Sequence, residues 1–131
     1  MESAYLFGVG ILQNRIINSN DAVMFDIDDT LIRTGGTPIE HMIDLAREAK
    51  ELDYKVILMT ARPAFKENIE WTLDQLKQLN IPYSMLYFCP PETKGELKLK
   101  LGLNFILSVG DLDTDLTNTD HWINTSSGYY N

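Results

Sequence analysis

Apolar residues gather into four short runs along the chain, at positions 22–27, 55–59, 83–88 and 105–109. Runs of this length that do not alternate with polar positions suit strands covered on both faces, the kind that build parallel sheets. Longer segments with helical spacing lie between them. Ile39, Met42, Ile43, Ala46, Ala49 and Leu52 recur at steps of three and four, and Phe65, Ile69, Leu73, Leu76 and Leu79 do the same. Each set predicts an amphipathic helix that buries one stripe. Pro38 is expected at the first helical position of the first and Pro63 at the opening of the second, because the first turn has no use for the N–H that proline lacks. A shorter helix is expected over 92–101, closed by Gly102. Strands alternating with helices predict a parallel sheet with right-handed crossovers, and hence a three-layer α/β domain.

The two ends of the chain are less clearly patterned. The stretch 5–12 (Tyr5-Leu6-Phe7-Gly8-Val9-Gly10-Ile11-Leu12) is apolar enough for an extra strand or a packed helix, with its two glycines weighing against the helix. A subunit interface is a third use for it. Residues 125–131 read as a loop or frayed end. A length of 131 residues suits one domain over 1–131, with 1–21 as an N-terminal extension of unassigned role.

Composition narrows the partners. The net charge is −8, from 19 acidic against 11 basic residues. That balance disfavours broad contact with nucleic acid or an anionic membrane, since phosphate binding relies on clustered Lys and Arg. A small phosphorylated ligand held by a few local groups stays compatible. Cys89 is the only cysteine, which excludes an intrachain disulfide and fits a reducing compartment. No apolar stretch approaches the roughly 20 residues that span a bilayer. The start Met1-Glu2-Ser3-Ala4 lacks the basic lead-in of a secretory signal. A soluble, cytoplasmic protein is therefore expected.

Charge placement carries the chemistry. The first run stops at Asp26-Ile27-Asp28-Asp29-Thr30. Crowded carboxylates at a strand end are costly unless a cation or a reaction uses them. The second run ends in Thr60 and Arg62. The fourth ends in Gly110-Asp111, followed by Asp113 and Asp115, and Lys94 opens the helix before it. In a parallel sheet all these ends share one edge, where α/β sheets bind their ligands. Carboxylates, a hydroxyl, an ammonium and a guanidinium together suit a phosphate held beside a divalent cation. Mg²⁺ takes carboxylate oxygens while keeping several waters, and Asp26 and Asp111 are candidate ligands. A carboxylate can also attack phosphorus and split hydrolysis into two steps. Lys94 and Thr60 would offset charge on the transferring oxygens. Asp28 could protonate the leaving oxygen and later activate water.

In order and spacing, these segments resemble the four motifs of the haloacid dehalogenase-like hydrolase superfamily. Asp26-Ile27-Asp28-Asp29-Thr30 resembles the first and Leu58-Met59-Thr60-Ala61-Arg62 the second. Lys94 at a helix head resembles the third, and Val109-Gly110-Asp111-Leu112-Asp113-Thr114-Asp115 the fourth. The resemblance covers 22–115, most of the chain. It implies a Rossmann-like fold with five strands, the last near 121–124. It implies Asp26 as nucleophile and metal ligand, and Asp28 as acid/base that lends its carbonyl to Mg²⁺. It implies Thr60 and Lys94 as phosphate-holding residues, and Asp111 as a metal ligand supported by Asp115. Residues 31–37 would form the turn and flap after the first strand. No cap domain is expected, because 29–38 and 81–94 are too short to hold one. Local similarity to acid-phosphatase-like and polynucleotide-kinase-type phosphatase domains is weaker, and rests on Thr60-Ala61-Arg62-Pro63 and Trp71-Thr72-Leu73. Two departures stand out: Leu112 replaces a small or hydroxyl residue, and Asp113 adds an acid. Lys98, one turn after Lys94, is a second candidate for the third-motif lysine.

Taken singly, each residue has a plainer use. The acids could form a solvated turn capped by Asp29 and Thr30, Thr60 could be a strand-end hydroxyl, and Lys94 a surface lysine. Two roles are open to Arg62: contact with substrate, or pairing with a nearby acid. Asp113 reads as a cap or exposed charge. His41, His121, Cys89, Trp71 and Trp122 read as packing residues. The functional expectation is a Mg²⁺-dependent phosphatase acting on a phosphate monoester through an aspartyl-phosphate on Asp26. Its substrate would be a small molecule or an exposed phosphate on a larger one, in an open site or under a lid lent by a second copy in a homo-oligomer. The alternatives are a phosphotransferase on the same fold, or a non-catalytic phosphate-binding or phospho-acceptor module. In receiver-type acceptor modules Thr and Lys follow both acidic clusters, whereas Thr60 and Lys94 lie between them here. Dehalogenation is disfavoured by Asp28, because a halide leaves without a proton.

Overall fold

The computed structural model describes residues 1–131. Its elements run α1 (Glu2–Gln13), β1 (Asp21–Phe25), α2 (Glu40–Glu51), β2 (Lys55–Thr60), α3 (Lys66–Gln78), β3 (Met85–Phe88), α4 (Lys94–Leu101), β4 (Asn104–Gly110) and β5 (His121–Asn124). The five strands form one sheet in the order β3-β2-β1-β4-β5, and every neighbouring pair is parallel. It is a three-layer, Rossmann-like α/β fold. The chain winds outward from β1 through β2 to β3, then returns to the other side of β1 for β4 and β5. The strand order therefore reverses between β1 and β4, and sheets of this type bind ligands at that point.

Alternation along β1 divides the interior. Val23 and Phe25 face the larger cluster with Val56, Leu58, Leu107 and Val109, under side chains of α1, α2 and α3. Ala22 and Met24 face the smaller cluster with Ile57, Met59 and Phe105, where Leu97 and Leu101 of α4 close over them. Every residue of β1 is buried, which explains its unbroken apolar run.

The N-terminal stretch is a helix despite its glycines. A Cβ on Gly8 would lie 2.8 Å from a methyl of Leu45 on α2, so the missing side chain lets the two helices approach closely. Ala4, Gly8 and Leu12 form its buried stripe, and the Tyr54 hydroxyl donates to the carbonyl of Leu12 at 2.7 Å. The C-terminal segment is held as well: Tyr130 stacks on Phe7, and Tyr130 pairs with Ile123 in an isolated bridge. It is neither frayed nor a free loop.

Other boundaries differ from expectation. Helix α2 begins at Glu40, so Pro38 lies before its cap and pairs with Ile32 in the flap. Helix α3 begins at Lys66 rather than Pro63, and the segment opening at 92 is split into a 3₁₀ turn (Pro91–Thr93) and α4. The third strand covers only Met85–Phe88. The buried face of α3 carries Thr72 and Leu76, whereas Phe65 and Leu73 are exposed. No insertion for a cap domain interrupts these elements, and no helix is long and apolar enough to cross a membrane.

Candidate active site

The carboxyl ends of β1, β2 and β4 bring distant residues to one place. Asp26 follows β1 directly, Thr60 ends β2, Asp111 follows β4, and Lys94 is the first residue of α4. The Lys94 ammonium donates to Asp26 Oδ1 at 2.9 Å and to Asp115 Oδ1 at 2.6 Å. Asp115 ends a 3₁₀ turn (Asp113–Asp115) whose first residue, Asp113, is exposed. Its second oxygen accepts the backbone N–H of Leu112 at 3.2 Å. Gly110 makes room for it, because a Cβ there would fall on the Asp115 carboxyl group.

Lys98 serves the site from behind. Its ammonium donates to the carbonyl oxygens of Asp115 and Thr117 and to the Ser108 hydroxyl, at 2.7, 2.6 and 2.9 Å. The two lysines one helical turn apart thus divide the work. Lys94 reaches the carboxylates, and Lys98 ties down the backbone that carries Asp115. Burial pushes Lys98 down to about 8, against the attraction of Asp115.

Oxygens of Asp26, Asp111 and Asp115 lie within 4.8 Å of one another. Asp26 and Asp115 are buried, and Lys94 is the cation paired directly with both. The consequence appears in Asp26, whose carboxyl is pushed up to about 8 by burial first and then by the charge of Asp115, against the pull of Lys94. Burial also pushes the Lys94 ammonium down, but Asp26 and Asp115 outweigh it and hold it above the ordinary lysine value. Three crowded carboxylates with one ammonium in direct contact fit a hard divalent cation. Asp26, Asp111 and Asp115 are the residues that would hold it.

Thr60 is fully buried, and its hydroxyl oxygen accepts the backbone N–H of Arg62 at 3.1 Å, leaving the hydroxyl proton available to another acceptor. Asp28 stands two residues past Asp26 with its side chain 44% exposed. Its two oxygens accept from Arg62, Oδ2 from Nε at 3.0 Å and Oδ1 from Nη2 at 2.8 Å. Arg62 therefore meets the nearby acid. Asp29, with φ of 58°, accepts from the Thr34 backbone and hydroxyl, and Thr125 bonds the Asp29 carbonyl, so these residues shape the flap.

Two residues near the site carry more than their sequence suggested. Trp71 is half exposed rather than packed in the core, and the Arg62 guanidinium lies 4.6 Å from its ring centre. Thr72 is buried and accepts from Arg62 Nη1 at 3.1 Å. A hydroxyl in phase with Ile69 and Leu76 was the available signal for Thr72. His41 packs beside Tyr5 and His121 beside Phe7, both away from the acids. Cys89 is half-buried, and burial pushes its thiol up despite Lys94.

An all-parallel sheet thus gathers acids, a lysine and a buried hydroxyl where the strand order reverses, the place at which α/β sheets bind their ligands. The family model for haloacid dehalogenase-like hydrolases matches residues 23–88, and the chain belongs to that family. Among solved structures, it is similar to a class C acid phosphatase from Bacillus anthracis with tungstate bound. The TM-score is 0.66 and the identity 17%, over 89% of this chain and 65% of that one. It is also similar to a chain of a Pnkp1/Rnl/Hen1 complex, with TM-score 0.57 and 21% identity, over 79% of this chain and 43% of that one. The chain thus spans less than two thirds of the length of either. No curated protein matches it in sequence.

Proposed function

We propose that this chain is a divalent-cation-dependent phosphatase that hydrolyses phosphate monoesters through an aspartyl-phosphate on Asp26. The observation that carries the reading is the Lys94 ammonium bound to both Asp26 and Asp115, with Asp111 in the same oxygen cluster and Thr60 at the end of the neighbouring strand. The family supports hydrolysis, and the acid phosphatase of like fold, which binds tungstate, supports a phosphate ester as substrate.

In this reading an Asp26 oxygen attacks phosphorus and the bond to the leaving oxygen breaks. Asp28 gives that oxygen a proton. Water then attacks the aspartyl-phosphate, Asp28 takes the water's proton, and phosphate departs with Asp26 regenerated. Thr60 donates a hydrogen bond to a phosphoryl oxygen, and Lys94 offsets its charge. A Mg²⁺ held by Asp26, Asp111, Asp115 and the Asp28 carbonyl would supply further charge neutralisation around the transferring group. The absence of a cap leaves the entrance open to a small molecule or to a phosphate projecting from a larger one. A cytoplasmic setting fits the single cysteine.

The test is phosphate release from a generic aryl phosphate with Mg²⁺. Asp26→Asn is expected to abolish it, and activity at the wild-type rate in that variant would overturn the nucleophile. Screening sugar phosphates, nucleotides, phosphopeptides and phosphorylated oligonucleotides under the same conditions then identifies the substrate class.

A further inference from the structure

Asp28 stands at the mouth of the site, past the end of β1, with nearly half its side chain in solvent. A short carboxylate in that position has several rotamers open to it, yet proton delivery requires one. The structure supplies the constraint from across the sheet. Arg62 grips both oxygens of Asp28 in a fork, with Nε and Nη2 at 3.0 and 2.8 Å. Such paired bonds fix the plane of a carboxylate as well as its position.

Arg62 is itself immobilised. Its side chain is only 6% exposed. Nη1 donates to Thr72 Oγ1 at 3.1 Å, and Thr72 in turn donates to the Asn68 carbonyl at 2.8 Å. One face of the guanidinium lies 4.6 Å from the Trp71 ring centre. Each of the three guanidinium nitrogens has a partner within the chain, and with only 6% of the side chain in solvent little of the group is open to a substrate phosphate. The backbone N–H of Arg62 bonds the Thr60 hydroxyl, which joins the same loop to the phosphate-binding side of the site.

We infer that Arg62 is a positioning residue that aims the Asp28 carboxylate at the leaving oxygen, and that Thr72 and Trp71 on α3 set the aim through it. The inference rests on the phosphatase reading above and assigns Arg62 to orientation rather than to holding substrate. Lysine could not replace it, since an ammonium is one rotatable donor group and cannot present a planar fork.

The experiment compares two esters whose need for a proton differs. An alkyl phosphate such as glycerol phosphate expels a basic alkoxide and depends on the acid, whereas nitrophenyl phosphate expels a weakly basic phenolate. Arg62→Lys is expected to lower kcat on the alkyl ester about tenfold or more beyond its effect on the nitrophenyl ester, with KM little changed, because misplacing a reacting group by about 1 Å can cost up to a hundredfold. Thr72→Val is expected to shift the ratio in the same direction by a smaller factor, and Thr72→Ser to restore it. Thermal unfolding of each variant accompanies the kinetics, and Thr72→Val carries the test should Arg62→Lys fail to fold. Equal losses on both esters would make Arg62 a structural residue and overturn the inference. A raised KM with kcat unchanged would make it a substrate contact, with the same result. Wild-type protein inactive on both esters would instead remove the phosphatase reading, and this inference with it.

Discussion

The Lys94 ammonium lies 2.9 Å from the Asp26 carboxylate across 68 residues of sequence. Helix α4 opens at the edge where β1 ends, and the reversal of strand order brings the two together. Breaking a buried pair by removing one partner leaves the other charge uncompensated, which costs about 3–5 kcal/mol in well-buried cases. Lys94→Met is therefore expected to lower unfolding stability on that order in chelator and to abolish phosphate release. Denaturant unfolding reads the first effect, and an unchanged midpoint would show that the pair does not stabilise the fold.

The three clustered acids give a second expectation. A cation that binds only the folded protein stabilises it by about 2.7 kcal/mol at a hundredfold excess over its Kd. Mg²⁺ is expected to raise the melting temperature relative to chelator, and Asp111→Asn to remove most of that rise. A melting temperature indifferent to Mg²⁺ in the wild-type protein would count against a cation among Asp26, Asp111 and Asp115.

Gly110 gives a third. A Cβ there would fall on the Asp115 carboxyl group, which Lys94 holds from the other side. Gly110→Ala is expected to displace Asp115, costing about 1–3 kcal/mol as overpacking does and strongly reducing activity. Unfolding and phosphate-release measurements on one preparation check both, and unaltered activity would show that the turn can yield.

A fourth concerns the opposite end of the sheet. Burial raises the Asp21 carboxyl, but the Asn18 backbone N–H, the Asn104 amide and Arg15 together outweigh it and hold its pKa below the ordinary value of 3.8. A carboxylate with a lowered folded pKa stabilises the protein above its unfolded pKa. That contribution is lost as pH falls through the lower folded value. Asp21→Ala is expected to cost about 1–3 kcal/mol near neutral pH, as loss of charged hydrogen bonds does, with the deficit shrinking below about pH 3.8. A deficit independent of pH would assign the effect to packing rather than charge.

The strands and the long helices were legible because local apolar spacing reports local backbone. The parallel sheet then implied that Asp26, Thr60, Lys94 and Asp111 share an edge, since all strand ends lie there. Less legible were the phases and partners. Within α3 both Leu73 and Thr72 are in phase with Ile69 and Leu76, and the apolar side chain is the one that hydropathy selects; packing on the sheet and on Arg62 turns Thr72 inward instead. The glycines of α1 argued against a helix until Gly8 met Leu45 from a different helix.

By itself, then, the sequence determined the α/β alternation, the absence of a cap insertion and the kinds of side chain that gather at the strand ends. Each follows from spacing between near neighbours. Only the tertiary structure decided that Lys94 meets the acids while Lys98 binds the carbonyls behind them, that Asp115 rather than Asp113 turns inward, and that Arg62 takes Asp28. Those choices depend on distances between residues tens of positions apart, and a side chain selects its partner only after packing has set which charges lie within reach.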